Sequence, residues 1–236
     1  MKLLKSRDLS PQENTSKIFF IFAALLFLSW IFPLSAEIWD ILDREVYLNL
    51  NHALSTASSN WLTFWAFMNS RFGDWTSQVI FLSIFGYYIA RSDDKKFAAK
   101  RVFFAIFFIA ITQIFVNKQL IPNVFKIYRE SPSIICPLYL NLETMVPMLN
   151  NHATSRMSFP ADHSTTLFLL SCFSIYFLGK KIAPLVIPLS ILFTLPRLIC
   201  GAHWLTDVVI GAGVITSVSF GIAIFILSKF PKPSQS

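Results

Sequence analysis

Long apolar runs separated by short polar segments dominate this chain. Six of them approach twenty residues, at positions 17–34, 74–90, 101–120, 163–178, 182–198 and 205–228. At a rise of ~1.5 Å per residue, such a run crosses the ~30 Å hydrocarbon core of a bilayer as one helix. The pattern predicts an all-α, polytopic membrane bundle of six transmembrane helices, with residues 1–236 forming a single integral-membrane domain.

Shorter segments complete the pattern. Residues 58–70 are apolar but too short to span, and Trp61 and Trp65 favour a helix at the membrane interface. Residues 1–16 and 229–236 are polar tails, the second rich in proline and predicted to be disordered. No cleavage-site pattern follows the first tail, so its apolar run predicts a retained anchor.

Composition and charge narrow the class of protein. The chain is 54% hydrophobic and only 14% charged, which excludes an ordinary soluble domain. Its net charge of +7 does not indicate nucleic-acid binding, because most basic residues stand in short blocks beside apolar runs. Blocks at 91–101, at 180–181 and in both tails place these segments and both termini in the cytoplasm by the positive-inside rule.

The opposite, periplasmic side then receives two segments that carry unusual charges. One is the connection 121–162, longer than most links between helices, and the other is the short segment 197–204. Ionisable groups at the ends of membrane helices are costly and mark functional sites by default. We therefore expect one active site, facing the periplasm.

The strongest chemical signal is Arg197, His203 and Asp207. His203 and Asp207 are four residues apart, so on a helix their side chains share one face. The carboxylate can accept one ring N–H of the histidine and leave the other nitrogen free as a nucleophile.

Two further clusters fall on the same predicted side: Asp162 with His163, and Lys126 with Arg129. Cations neutralise the charge that develops on phosphate oxygens, while one histidine attacks phosphorus and another protonates the departing oxygen. The set therefore favours phosphoryl transfer. No metal-ligand motif accompanies it, so we expect neither a metal nor a cofactor.

These segments resemble the three motifs of the type 2 phosphatidic acid phosphatase superfamily. The matching stretches are Lys126–Pro132, Phe159–His163 and Arg197–Asp207. Within the superfamily, the chain is most similar to the lipid A 1-diphosphate synthases of Gram-negative inner membranes, which move a phosphate from undecaprenyl pyrophosphate to lipid A. The resemblance covers most of the chain.

The resemblance implies a role for each matching residue. His203 is the nucleophile that forms a phosphohistidine, His163 is the general acid, and Asp207 stabilises the charged imidazole. The expected phosphate-binding residues are Arg197, Arg129, Lys126, Asp162, Ser158 and Arg156. The expected partners are undecaprenyl pyrophosphate, lipid A or another lipid phosphate, and the bilayer of a bacterial inner membrane.

Two departures from the family motifs affect these assignments. Ala161 and Asp162 stand where the second motif has serine and glycine, so a hydroxyl donor to phosphate is lost, and Ser158 is the candidate replacement. The first motif has a lysine seven residues before an Arg-Pro pair. Here Pro122 holds that position, and Lys126 is the lysine nearest to Arg129.

Other interpretations stay open at this stage. If water is the phosphate acceptor, the protein is an undecaprenyl-pyrophosphate or other lipid phosphate phosphatase. A catalytically silent lipid-binding or transport protein could keep the same pocket. Arg197, Lys126 and Arg129 could only contact headgroups. His52 and His152 have no carboxylate at helical spacing and are interpreted as structural, and Asp93 with Asp94 as a solvated loop.

Overall fold

The computed structural model describes residues 11–136, 140–149, 151 and 153–229. Within these ranges the chain is all-α, as predicted, and contains no strand. The α-helices are α1 (Pro11–Ile31), α2 (Pro33–Ser55), α3 (Ser59–Met68), α4 (Arg71–Arg91), α5 (Lys95–Ile111), α6 (Pro132–Ile135), α7 (Leu142–Met145), α8 (Asp162–Leu178), α9 (Ala183–Ile199) and α10 (Gly213–Leu227). His152 and the outer parts of both predicted tails, residues 1–10 and 230–236, lie outside the described residues.

Two helices have wider, π-helical portions. Helix α5 continues as a π-helix over Thr112–Phe125, and a second π-helical segment, Asp207–Ala212, leads into α10. Such segments are rare and occur often at functional sites. Short 3-10 turns lie at Pro147–Leu149 and Lys180–Ile182.

Helix α8 lies at the centre of the bundle. It packs against α4, α5, α9 and α10. Its apolar residues surround the whole helix rather than one stripe, as expected for a helix buried on all sides. Leu167 and Phe173 are fully buried there, beside Phe81 of α4 and Val186 of α9. The first turn of this central helix carries His163, so the core fixes the position of that side chain.

Helix α1 packs along α10. The Ser16 hydroxyl donates a hydrogen bond of 2.7 Å to the carbonyl of Gly221, which lets the two helices approach closely. A side chain at position 221 would contact the ring of Phe20 at 3.1 Å. The opposite face of α1 exposes large apolar residues, including Ile18, Phe22 and Leu25. An apolar surface of this extent suits contact with lipid.

Among the described residues, four helices are long and apolar enough to cross a membrane: Glu13–Ile31, Lys95–Phe125, Lys180–Ile199 and Asp207–Leu227. They account for four of the six predicted spans. The other two predicted runs lie in α4 and α8, which are not among these four helices. Helix α8 is short, with 17 residues, and the first turn of α4 carries the charged residues Arg71 and Asp74. The six-span count and the periplasmic side of the site therefore stay predictions. Residues 58–70 do contain a short helix, α3, in which Trp61 is exposed.

Backbone hydrogen bonds join the three motif segments. The N–H of Ser158 donates to the carbonyl of Arg129 at 2.7 Å, and that of Ala161 donates to the carbonyl of Asp207 at 3.1 Å. Gly201 has a positive φ of 74°, and a side chain there would lie 2.7 Å from the ring of Tyr47. The loop before Asp207 therefore depends on glycine, and it brings the third motif against the other two.

Candidate active site

A cavity of about 690 Å³ opens between the motif segments. His203, His163 and Arg197 lie in its wall together. The rest of the wall is mostly polar and comprises Asp74, Gln78, Gln113, Asn117, Lys118, Thr154, Ser155, Met157, Phe159, Pro160, Asp162, Thr166 and Ala202. The structure thus places both predicted histidines and one predicted arginine at a single cavity.

The ring of His203 is anchored through Nδ1. The nearest acceptor is the backbone carbonyl of Ser158, 2.7 Å away, whereas the Asp207 carboxylate is 3.7 Å from the same nitrogen. An Nδ1–H that donates to a carbonyl leaves Nε2 as an unprotonated acceptor. The sequence pattern predicted that Asp207 would accept this ring hydrogen, but in the structure the acceptor is the carbonyl of Ser158. Nε2 is thus the ring nitrogen available to attack a phosphorus atom.

Asp207 is fully buried and has other partners. Its Oδ2 accepts the backbone N–H of Trp204 at 2.9 Å, and its Oδ1 accepts a guanidinium hydrogen of Arg129 at 3.0 Å. These bonds hold the loop that carries His203. A negative charge 3.7 Å from the ring also stabilises a positively charged imidazole, so the geometry suits the predicted role.

His163 lies in the wall next to an acidic residue that the sequence reasoning did not select. Its Nδ1 is 3.4 Å from Oδ1 of Asp74, in the first turn of α4. Asp162 also lines the cavity, but its Oδ1 accepts the backbone N–H of His163 at 2.6 Å. The N-cap of α8 is Ala161, so Asp162 is the first residue inside the helix.

Arg197 reaches the cavity while both of its terminal nitrogens are hydrogen bonded. One nitrogen donates to Oδ1 and Oδ2 of Asp74 at 2.7 and 2.9 Å. The other donates to the backbone and side-chain oxygens of Asn69 at 2.9 and 3.0 Å. The guanidinium is therefore fixed at the wall, which favours a phosphate-binding role over loose contact with headgroups.

Arg129 is oriented differently from its predicted role. It donates to Asp43 at 2.6 Å, to Asp207 and to the hydroxyl of Thr206, and it packs over the ring of Trp204 at 5.1 Å. It is absent from the cavity wall. Two carboxylates attract this guanidinium away from the cavity, so the structure does not support direct phosphate binding by Arg129.

Asp43 is the second acidic residue that the sequence reasoning did not select. It comes from α2 and is almost completely buried. Its Oδ1 accepts the backbone N–H of Thr206 at 2.8 Å. Burial raises the pKa of Asp43 above its ordinary value, while the hydrogen bonds from Thr206 and the charge of Arg129 oppose that rise.

Lys126, predicted to bind phosphate, does not reach the cavity. It is exposed, has a left-handed φ of 52° and ends the π-helix of residues 112–125. Lys118, within the same π-helix, is the lysine in the wall. The wide turns around position 118 direct its side chain inward, and sequence spacing counted from Arg129 cannot show this.

Two further predicted phosphate ligands lie elsewhere. The Ser158 hydroxyl is buried and donates to the carbonyl of Arg129 at 3.1 Å, so this residue orients His203 instead of contacting the cavity. Arg156 is exposed and does not line the wall. The sequence gives no comparable signal for Asp43, Asp74 or Lys118, because Asp43 stands beside Arg44 and Glu45 and the other two have polar neighbours.

Comparison with known proteins finds a family whose match includes most of the residues of this site. The model of the PAP2 superfamily matches residues 118–231, which include Lys118, both histidines and Asp207. The match covers slightly less than half of the chain, and this part is similar to the PAP2 superfamily, the type 2 phosphatidic acid phosphatases whose motifs it resembles, which are phosphatase and phosphotransferase enzymes.

The sequence is also similar to that of one characterised enzyme. The chain is 26% identical over 188 residues to the lipid A 1-diphosphate synthase of Escherichia coli (strain K12), an alignment that covers 79% of this chain and 77% of the relative. No solved structure matches the chain significantly.

Proposed function

We propose that this protein transfers the terminal phosphate of undecaprenyl pyrophosphate to the 1-phosphate of lipid A. The observation that carries the proposal is the anchored ring of His203. Its Nδ1 is hydrogen bonded to Ser158, so Nε2 is free at a cavity that also contains His163 and Arg197. The similarity to a lipid A 1-diphosphate synthase supports the choice of donor and acceptor.

The first half of the reaction breaks a P–O bond. Nε2 of His203 attacks the terminal phosphorus, and the bond to the bridging oxygen breaks as the N–P bond forms. Protonated His163 gives its proton to the departing oxygen, which leaves as undecaprenyl phosphate. In the second half, an oxygen of the acceptor phosphate attacks the phosphohistidine, the N–P bond breaks, and any proton on the attacking oxygen passes to His163.

Fixed cations stabilise the transition state in this proposal. Arg197 is held at the wall by Asn69 and Asp74, and Lys118 is the second cation available there. Preorganised positive groups stabilise charge as it develops on the three equatorial phosphate oxygens. The reaction therefore needs no metal, and we expect a chelator to leave its rate unchanged.

The proposal places the protein in a bacterial inner membrane, with both termini in the cytoplasm and the cavity facing the periplasm. Single cysteines at two exposed positions, introduced into a cysteine-free variant, test this arrangement. Asp93→Cys should react from the cytoplasmic side, and Met148→Cys, whose parent side chain is 93% exposed, should react from the periplasmic side. Reaction of both from the same side contradicts the topology.

The function itself is tested with purified protein and undecaprenyl pyrophosphate, with and without lipid A. We expect diphosphorylated lipid A and undecaprenyl phosphate, with little free phosphate. Equal phosphate release in both samples would show that water is the acceptor and that the protein is a lipid phosphate phosphatase. No turnover in either sample would favour a silent lipid-binding protein. His52→Ala is the matched control for His203→Ala, because His52 is exposed and absent from the cavity wall.

A further inference from the structure

We infer that Asp74 is a positioning residue for the general acid, acting as the carboxylate partner of His163. The inference rests on the proposed function, in which His163 delivers a proton. Asp74 comes from α4, and the PAP2 model begins only at residue 118, so the family match does not include it.

The geometry links three groups through one carboxylate. Oδ1 of Asp74 accepts a hydrogen bond of 2.7 Å from Arg197 and lies 3.4 Å from Nδ1 of His163. Oδ2 accepts a second bond from the same arginine nitrogen at 2.9 Å. The general acid and the phosphate-binding cation are thus oriented by the same side chain.

The local fold holds this carboxylate in place. Asp74 stands in the first turn of α4, where the partial positive charge of a helix N-terminus favours an anion. Ser70 caps the helix by accepting the N–H of Phe72 at 3.2 Å. At Gly73 a side chain would collide with the carbonyl of Met68 at 2.3 Å, so α3 and α4 meet closely just before Asp74.

The other groups facing His163 do not offer the same interaction. Asp162 also places a negative charge near the ring, but its hydrogen bond is to the backbone N–H of His163, and Arg197 and His203 repel a positive imidazole. A carboxylate beside Nδ1 fixes the tautomer that leaves Nε2 for proton transfer, and it stabilises the protonated ring. Asp74 is the neighbour whose position suits this role.

The test compares leaving groups. A general acid matters most for a poor leaving group, so loss of its partner should reduce kcat more for an alkyl phosphate monoester than for an aryl phosphate. We expect Asp74→Asn to lower kcat on the alkyl ester by about tenfold or more, short of the ~10²–10⁴-fold that a general acid itself contributes. The loss on the aryl phosphate should be several-fold smaller. In a His163→Ala background, Asp74→Asn should no longer distinguish the two substrates, and the loss of kcat that remains should be smaller than in the unmodified background and equal on both, because it acts through Arg197 alone.

Asp93→Asn is the matched control, because Asp93 is an exposed carboxylate outside the cavity and its loss should change neither rate. The inference is overturned if Asp74→Asn lowers kcat equally on both substrates, or if its effect adds fully to that of His163→Ala. Asp74 would then act only by holding Arg197 or by stabilising the fold. If Asp74→Asn does not fold, Asp74→Glu takes its place, since the longer side chain displaces the carboxylate. The inference is then judged by the same comparison of kcat on the two substrates. Activity remaining in His203→Ala would instead refute the proposed function, whatever Asp74 does.

Discussion

The two histidines of the cavity have different surroundings. His203 is bonded to a backbone carbonyl and backed by the fully buried Asp207, which is tied to Arg129 and through it to Asp43. Both histidine side chains are 12% exposed, but their partners differ: Asp74, 3.4 Å from His163, is 26% exposed, whereas Asp207 is fully buried. A buried polar network with its hydrogen bonds satisfied is rigid, whereas a partner open to water can adjust. In the proposed mechanism the nucleophile is therefore preorganised, and the acid is held by a partner that water and substrate can also reach.

The two arginines differ in the same way. Arg129 bonds to two carboxylates and is absent from the wall, so its charge is already neutralised inside the protein. Arg197 has one carboxylate partner and lies in the wall. A motif match gives both residues the same role. In the proposed mechanism, Arg129 therefore supports the His203 loop and Arg197 contacts the substrate phosphate.

The largest expected effect is at the nucleophile. His203→Ala should abolish turnover of every phosphate ester and should also abolish an acid-labile, base-stable covalent phosphate, because no neighbouring group replaces Nε2. Rapid-quench trapping of labelled phosphate measures this. His52→Ala should behave as the unmodified protein. Substantial turnover in the His203 variant would show that His203 is not the nucleophile.

The next effect is at the acid. His163→Ala should lose ~10²–10⁴-fold on an alkyl phosphate monoester and less on a pyrophosphate or an aryl phosphate, whose leaving groups need less protonation. Values of kcat measured on each of these substrates show how the loss depends on the pKa of the leaving group. Equal losses on all of them, with chemistry shown to be rate-limiting, would mean that His163 positions phosphate and does not donate the proton.

Stability should separate the two arginines. Arg129→Met leaves Asp43 and Asp207 buried without their cation, and breaking a buried ion pair from one side costs about 3 kcal/mol of unfolding free energy or more. Arg197→Met leaves the partly exposed Asp74, so its cost should be clearly smaller. Denaturant unfolding in detergent measures both, and adding Asp43→Asn to Arg129→Met should recover part of the loss. Equal costs for the two arginine variants would contradict the assignment.

Apolar runs predict most of the long helices, but α2, which carries Asp43, lies almost entirely outside the six runs because its residues are mixed polar and apolar. The all-α fold, the convergence of His163, His203 and Arg197, and the similarity to the superfamily follow from run lengths and motif spacing. The partners of these residues do not follow, since Asp43 and Asp74 are distant in sequence and meet the site only through helix packing. Sequence spacing also could not show that Lys118, and not Lys126, lines the cavity, because a π-helix does not keep the 3.6-residue period.

The different positions of Lys118 and Lys126 give the smallest and most specific expected effect. Lys118 lines the cavity, whereas Lys126 ends the same π-helix with its side chain exposed and outside the wall. Lys118→Gln should lower kcat/KM by about tenfold, because a charge-assisted hydrogen bond contributes ~1.5 kcal/mol when it is partly open to water. Lys126→Gln removes the same charge from the same element and should change kcat/KM less than twofold. Higher salt should narrow the difference, since an exposed cation is screened. If Lys126→Gln proved the more damaging variant, the substrate phosphate would lie nearer the end of the π-helix than the cavity wall indicates, and the motif spacing would describe the site better than the packing does.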